Sequence, residues 1–233
     1  MNARFSEPKD FSTTLRALSH LLRYPDEAQR ARLDGVAAAL RADGALNPTR
    51  RNEIEILIAS MHYADPFDVE ALYLEFFERG RSTSLHLFEH VHGDSRERGQ
   101  AMVDLIKTYE AAGLTLADGE LPDFLPVALE YASVLPPLQA RAFLEEIAHI
   151  LNALYSALQR RGSDYTCAIA ALLELAGETP RPQPVAPDPA LDEAWEAPAA
   201  FGGCTPQGQQ RPDLPQPVHL VRRATTARTG VEK

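Results

Sequence analysis

The chain has 233 residues, 45% of them hydrophobic, and a formal charge of -10. That length buries one sizeable core with chain to spare, and the excess of acid turns away nucleic acid and anionic membranes while favouring basic partners. Every apolar run falls short of the roughly 20 residues that cross a bilayer, and Met1-Asn2-Ala3-Arg4-Phe5-Ser6-Glu7 lacks the apolar centre of a secretory signal, so a cytoplasmic protein without direct membrane insertion is expected.

In chain order, the periodicity is helical up to about residue 178. Ser12 opens a helix with Leu15, Leu18 and Leu22 on one face, which Pro25 breaks. Leu33, Val36, Ala37 and Leu40 mark a second. Asn47-Pro48 and Asp65-Pro66 each pair a capping side chain with proline at the first helical position. The first leads into Ile54, Leu57, Ile58 and Met61, the second into Val69, Leu72, Tyr73 and Phe76. A polar, glycine-bearing stretch covers about 80–99. Met102, Leu105, Ile106 and Tyr109 follow, ended by Gly113. Pro122-Asp123 opens a short helix with Leu125, Ala128 and Leu129. After Pro136-Pro137 one long helix carries Phe143, Ile147, Ile150, Leu151, Leu154 and Leu158 to Gly162, and Ser163 starts a last one that Gly177 closes. Period-2 strands and hairpin turns are missing from this pattern. The expected fold is all-α, an irregular bundle of about eight helices.

Residues 1–178 form the expected helical domain. They hold 17 Lys and Arg against 27 Asp and Glu, so the whole excess charge sits there. In residues 179–233 basic and acidic residues number six each, and ten of the 18 prolines fall between 180 and 217. Such a segment cannot bury enough apolar surface to offset its ordering entropy, and a largely disordered Pro/Gly/Gln-rich tail is expected. Leu191-Asp192-Glu193-Ala194-Trp195-Glu196 holds the only tryptophan and could dock on the body or on a partner.

The candidate chemistry is sparse. Cys167 and Cys204 have neither metal-ligand nor redox spacing, and Cys167 reads as a small core residue. Phosphate-binding glycine loops and nucleophile elbows are not found. His86-Leu87-Phe88-Glu89-His90 matches the H-x-x-E-H pattern, in which two histidines one helical turn apart hold zinc beside a general base. A third ligand is not evident, and the competing reading is a polar loop whose histidines bond to backbone or carboxylate. Tyr73, Phe76 and Phe77 read as core, while Glu70, Glu75, Glu78, Glu89 and Asp94 are solvated surface or the lining of a basic-peptide site.

Residues 79–105, RGRSTSLHLFEHVHGDSRERGQAMVDL, closely resemble the nitrate reductase molybdenum cofactor assembly chaperones, the delta subunits of respiratory nitrate reductase. These belong to the wider group of maturation chaperones for molybdoenzymes. Leu21-Leu22-Arg23-Tyr24-Pro25, Tyr73-Leu74-Glu75-Phe76-Phe77, Glu120-Leu121-Pro122-Asp123-Phe124-Leu125-Pro126, Glu146-Ile147-Ala148-His149-Ile150-Leu151 and Leu191–Trp195 continue the likeness, which runs from about residue 11 to about 201. Phe124 stands where the family often has histidine, so a role for that imidazole does not carry over.

The resemblance implies a helical chaperone, not an enzyme, with no catalytic residue, no metal site and no cofactor of its own. Its implied partner is the catalytic (alpha) subunit of respiratory nitrate reductase, alone or with the iron–sulfur subunit. Its client would be held by an N-terminal peptide until a molybdopterin-guanine-dinucleotide cofactor is inserted, before membrane attachment. The implied signature loop includes His86, Glu89, His90, His92, Gly93, Asp94 and Arg98. Aromatic and methionine side chains that bury much area beside acidic ones suit a basic amphipathic peptide. They place a candidate client groove at Tyr73, Phe76, Phe77 and Met102, bordered by Glu70 and Asp104. The rival readings are a zinc hydrolase built on His86, Glu89 and His90, and a chaperone for a different molybdoenzyme.

Overall fold

The computed structural model describes residues 10–91 and 97–184. The chain divides into two units, residues 1–188 and 189–233, and the second lies wholly outside the described residues, with Trp195 and Cys204; of the tail expected to be disordered, only residues 179–184 are described. Among the described residues the chain forms eleven α-helices, one 3-10 turn and no strand. In order they are α1 (Ser12–Leu21), α2 (Glu27–Arg30), α3 (Leu33–Asp43), α4 (Pro48–Tyr63), α5 (Pro66–Phe77), the 3-10 turn Arg81–Thr83, α6 (Leu87–Val91), α7 (Glu97–Ala111), α8 (Leu125–Val134), α9 (Pro137–Glu146), α10 (Ala148–Arg160) and α11 (Thr166–Ala176).

The all-α bundle expected from periodicity is what forms, and each of the eight expected helices is present. Three further elements account for the higher count. The four-residue α2 and five-residue α6 are too short to show a period. The expected long helix over 137–162 is two helices, α9 and α10, meeting at Ile147 (φ -90°, ψ 2°). There the Ile150 amide is drawn to the Ile147 carbonyl at 3.0 Å, and the Glu146 carbonyl is taken by the His149 ring at 3.1 Å. The i→i-4 ladder is thereby interrupted without proline or glycine.

Side-chain caps fix the starts of α2, α4 and α5. Asn47 accepts from the Arg50 amide at 2.9 Å and Asp65 from the Phe67 amide at 2.9 Å, as their sequences suggested. Ser12 does not cap α1. Phe11 occupies its N-cap position without a side-chain bond; Asp10, one residue earlier, accepts from the Ser12 amide at 2.9 Å, and Asp43 at the end of α3 accepts from the Thr14 amide at 3.2 Å and from its hydroxyl. Gly177 ends α11 at φ 85°, a left-handed turn open to glycine at little cost.

The core follows from two helices. α1 contributes Leu15, Leu18 and Leu21, all at zero exposure, and lies against α3 and α8. α11 is apolar around its circumference, with Ala168 to Leu173 fully buried, and packs among α4, α9 and α10. Cys167 lies in this core, where burial pushes its thiol pKa up to about 12, consistent with packing rather than reactivity. Residues 179–184, counted with the tail by composition, run beside α10. The Arg181 amide donates to Asn152 at 3.3 Å and the Gln183 amide to Ser156 at 2.9 Å.

Candidate functional site

α5 sorts its aromatic residues by helical spacing. Val69, Tyr73 and Phe77, four apart, form the buried stripe. The Tyr73 ring meets Phe77 at 4.8 Å and Tyr24 edge-on at 5.6 Å, and its hydroxyl donates to the Leu22 carbonyl at 2.9 Å. Burial raises the pKa of that hydroxyl far above its ordinary value. Phe76, expected on the same stripe, lies on another face, half-buried, with the Arg161 guanidinium 5.6 Å from its ring centre.

The residues around 86 and 123 are stitched together by backbone. The Leu87 amide donates to the Asp123 carbonyl at 2.9 Å and the Leu125 amide to the Leu85 carbonyl at 2.8 Å, an isolated antiparallel bridge centred on His86 and Phe124. Asp123 does not begin a helix; α8 opens at Leu125, and the Asp123 side chain is completely buried. One carboxylate oxygen is 3.3 Å from His86 Nδ1. The other accepts from the Phe88 amide at 3.3 Å and lies 3.7 Å from Arg98, which also reaches Glu89 at 3.8 Å. A buried carboxylate with three such neighbours holds the short α6, the start of α7 and the approach to α8 in one arrangement. The signal for it was a lone acid in the apolar run Leu121–Leu129.

His86 and His90 do not share a task. His90 Nε2 donates to the Ser84 carbonyl at 2.9 Å, whereas His86 faces Asp123 and lies against Phe124 with ring centres 5.3 Å apart. Among the described residues no three His, Cys, Asp or Glu side chains are grouped to hold a metal ion. His92, Gly93 and Asp94 lie outside the described residues.

The His86 pKa is raised by its hydrogen bond to Asp123, against the opposing effect of burial. A histidine holding its proton more tightly when folded stabilises the fold fully below its unfolded pKa, here 6.5, and loses that contribution as pH rises through the raised value. The ring is 30% exposed, so solvent screens part of the effect. We expect the urea midpoint to fall as pH rises above 6.5, with a shallower decline in His86→Gln. Parallel profiles for parent and variant would detach the linkage from this ring.

Two connected cavities open over these residues, with volumes of about 370 and about 710 Å³. Both are lined by Tyr73, Glu78, His86 and Phe124. Phe77 and Arg98 lie in the smaller, and Arg23, Tyr24, Glu120 and Glu130 in the larger. Arg23 pairs with Glu120 and, at 2.9 Å, with Glu130. Glu70 sits nearby, 3.3 Å from Arg30, and accepts from the Tyr24 hydroxyl at 3.0 Å. Four separate sequence segments, around 23, 73, 86 and 120, thus meet at one cleft. Met102 and Asp104 belong to α7, on which Tyr109 is the one buried residue among those described. Met102 is half-buried, and Asp104 is bonded within its own helix, to Gln100 at 3.0 Å and Lys107 at 3.2 Å.

This all-helical body, with a mixed aromatic and acidic cleft, shares its fold with a structure provisionally described as that of a redox enzyme maturation protein. The similarity to that crystal structure, from Archaeoglobus fulgidus, has a TM-score of 0.52 and 17% identity over 76% of this chain and 100% of that one. The chain belongs to the nitrate reductase delta subunit family, whose model matches residues 43–171. It is 46% identical over 159 residues to the nitrate reductase molybdenum cofactor assembly chaperone NarJ of Escherichia coli K12, covering 68% of this chain and 67% of NarJ. It is 42% identical over 165 residues to NarW of the same strain, covering 71% and 68%. NarJ carries the name of an assembly chaperone rather than of an enzyme.

Proposed function

We propose that this chain is an assembly chaperone for a respiratory nitrate reductase. It binds the catalytic subunit, alone or with the iron–sulfur subunit, through that subunit's N-terminal peptide. It holds the client in the cytoplasm for insertion of a molybdopterin-guanine-dinucleotide cofactor before membrane attachment. The chaperone contributes shape and charge and does no chemistry on the cofactor. Among the described residues no helix is long and apolar enough to cross a membrane.

The observation that supports this reading most directly is the cleft. It has aromatic edges from Tyr73, Phe77 and Phe124, and acidic side chains from Glu78, Glu120 and Glu130. Glu120 and Glu130 are engaged by Arg23, whereas Glu78 makes no ion pair with a described residue. A basic amphipathic peptide gains apolar burial on the exposed Tyr24 ring and the half-buried Phe124 ring, above the buried Tyr73 and Phe77, and charge attraction at Glu78. Of the residues assigned to the groove by sequence, Tyr73, Phe77 and Glu70 belong to this cleft and its border. Phe76, Met102 and Asp104 take no part in the proposed contact.

Calorimetric titration with a synthetic client N-terminal peptide tests the reading. Binding is expected to weaken as salt rises from about 50 to about 300 mM, since part of the attraction lies between exposed charges. Glu78→Lys should weaken it further while leaving the unfolding free energy within about 0.5 kcal/mol of the parent. No binding at either salt would refute recognition of that peptide.

A further inference from the structure

A second concave surface lies away from the cleft, between α4 and α5. It has a volume of about 240 Å³ and a predominantly apolar lining that includes Leu57, Met61, Val69, Leu72, Phe76 and Tyr165. Leu72 at its edge is 49% exposed. The α4–α5 turn beside it carries Tyr63 at 85% exposure and Phe67 at 81%, the most exposed large apolar side chains among those described. Contiguous exposed apolar patches mark interaction surfaces, and Tyr63, Phe67 and Leu72 fall within ten residues of sequence across the α4–α5 junction.

The charge around the groove is one-sided. Asp164 lines it. Asp65 lies in the turn, Asp68 one helical turn before Leu72, and Glu75 three residues after it, all on or beside the same face of α5. These four carboxylates are exposed, and none has a basic partner among the described residues. Arg161, which borders α5, is turned inward, and Arg50, which shares a neighbouring pocket with Asp164, is paired with Glu53 and Glu174. The Arg161 nitrogens donate to the Glu75 and Phe76 carbonyls at 2.7 and 3.2 Å and to the Thr83 hydroxyl at 3.0 Å. A second copy of this chain would bring a like acidic rim against this one. An anionic lipid surface would be repelled in the same way.

We propose that the α4–α5 groove is a docking site for an amphipathic helical segment of a partner protein. A leucine-sized side chain would seat beside Leu72 and Phe76, and Lys or Arg on its flanks would meet Asp65, Asp68, Glu75 and Asp164. This surface is separate from the Tyr73 cleft and works whether or not the cleft takes the client's N-terminal peptide.

The test is a titration of the full chain with a synthetic amphipathic helical peptide of leucine and lysine, and with its twin carrying glutamate for lysine. The lysine peptide is expected to bind and the glutamate twin to fail. Leu72→Glu should weaken the lysine peptide about tenfold or more, as removal of a central anchor does. Asp68→Asn combined with Asp164→Asn should weaken it several-fold and flatten its salt dependence. The titration is repeated in the Glu78→Lys background, which weakens the cleft as a second site for a basic peptide, and the lysine peptide is expected still to bind there and to remain sensitive to Leu72→Glu. Circular dichroism checks that each variant folds, which half-exposed Leu72 and exposed Asp68 and Asp164 permit. The proposal fails if the lysine peptide does not bind, if Leu72→Glu is silent, or if Glu78→Lys is the variant that abolishes binding. A dimer of the free chain that Leu72→Glu disperses would also overturn it, by giving the groove to a second copy.

Discussion

Asp123→Ala is expected to destabilise the fold by about 3–5 kcal/mol, the cost of breaking a buried charge pair from one side. The side chain is at zero exposure, so water cannot replace what is lost. Its removal leaves the Phe88 amide without its carboxylate acceptor, withdraws the partner of His86 Nδ1, and leaves Arg98 beside Glu89 alone. Unpaired buried donors carry their full desolvation cost. Asp123→Asn keeps the shape and one acceptor oxygen, so it should lose less. Urea unfolding of the three proteins measures both steps, and an alanine variant within about 1 kcal/mol of the parent would mean that the carboxylate is not the anchor of this region.

The second large effect is expected at Phe77. Its ring is 5% exposed and lies 4.8 Å from Tyr73 and 5.0 Å from Tyr165. Truncation to alanine empties a space shared by α5 and Tyr165 at the start of α11, and the loss should be about 3–5 kcal/mol. Phe76→Ala, one residue away, should cost on the order of 1 kcal/mol, because that ring is half-buried and packs against the edge of the core under Arg161. The same denaturation series compares the two. Equal losses would contradict the burial that separates the neighbouring rings.

That pair also shows where sequence reading stops. An aromatic run on a helix announces burial, but Phe76 and Phe77 differ by about 100° of rotation, and composition does not say which faces inward. The i+4 spacing Val69–Tyr73–Phe77 does, once α5 is seen against the 3-10 turn and α11. Helix existence was legible because Asn47-Pro48 and Asp65-Pro66 are strong local signals whose capping bonds form as written. The break at Ile147 was not legible, since it arises from competition for the Glu146 carbonyl rather than from any helix breaker. Asp123 was misread for a related reason. Pro-Asp before an apolar run is a fair helix start, and only the pairing of residues 85–87 with 123–125 turns the acid inward. The cleft was partly legible. Tyr73, Phe77 and Glu70 were named from their types, whereas Arg23, Tyr24, Glu120 and Glu130 enter through contacts spanning about half the chain.

Those spans carry a consequence for biosynthesis. Arg23 is held by Glu120 and Glu130, Ser19 donates to the Pro126 carbonyl at 2.8 Å, and Phe77 rests on Tyr165. Closing loops of about 100 residues costs chain entropy that is recovered only when both ends are present. A nascent chain leaving the ribosome can therefore form α1, α3 and α4 while it has no cleft at all. The cleft walls assemble only after α8 has emerged, and the aromatic floor waits for Tyr165. An unfinished copy of this protein therefore has no assembled cleft until most of its chain has been made.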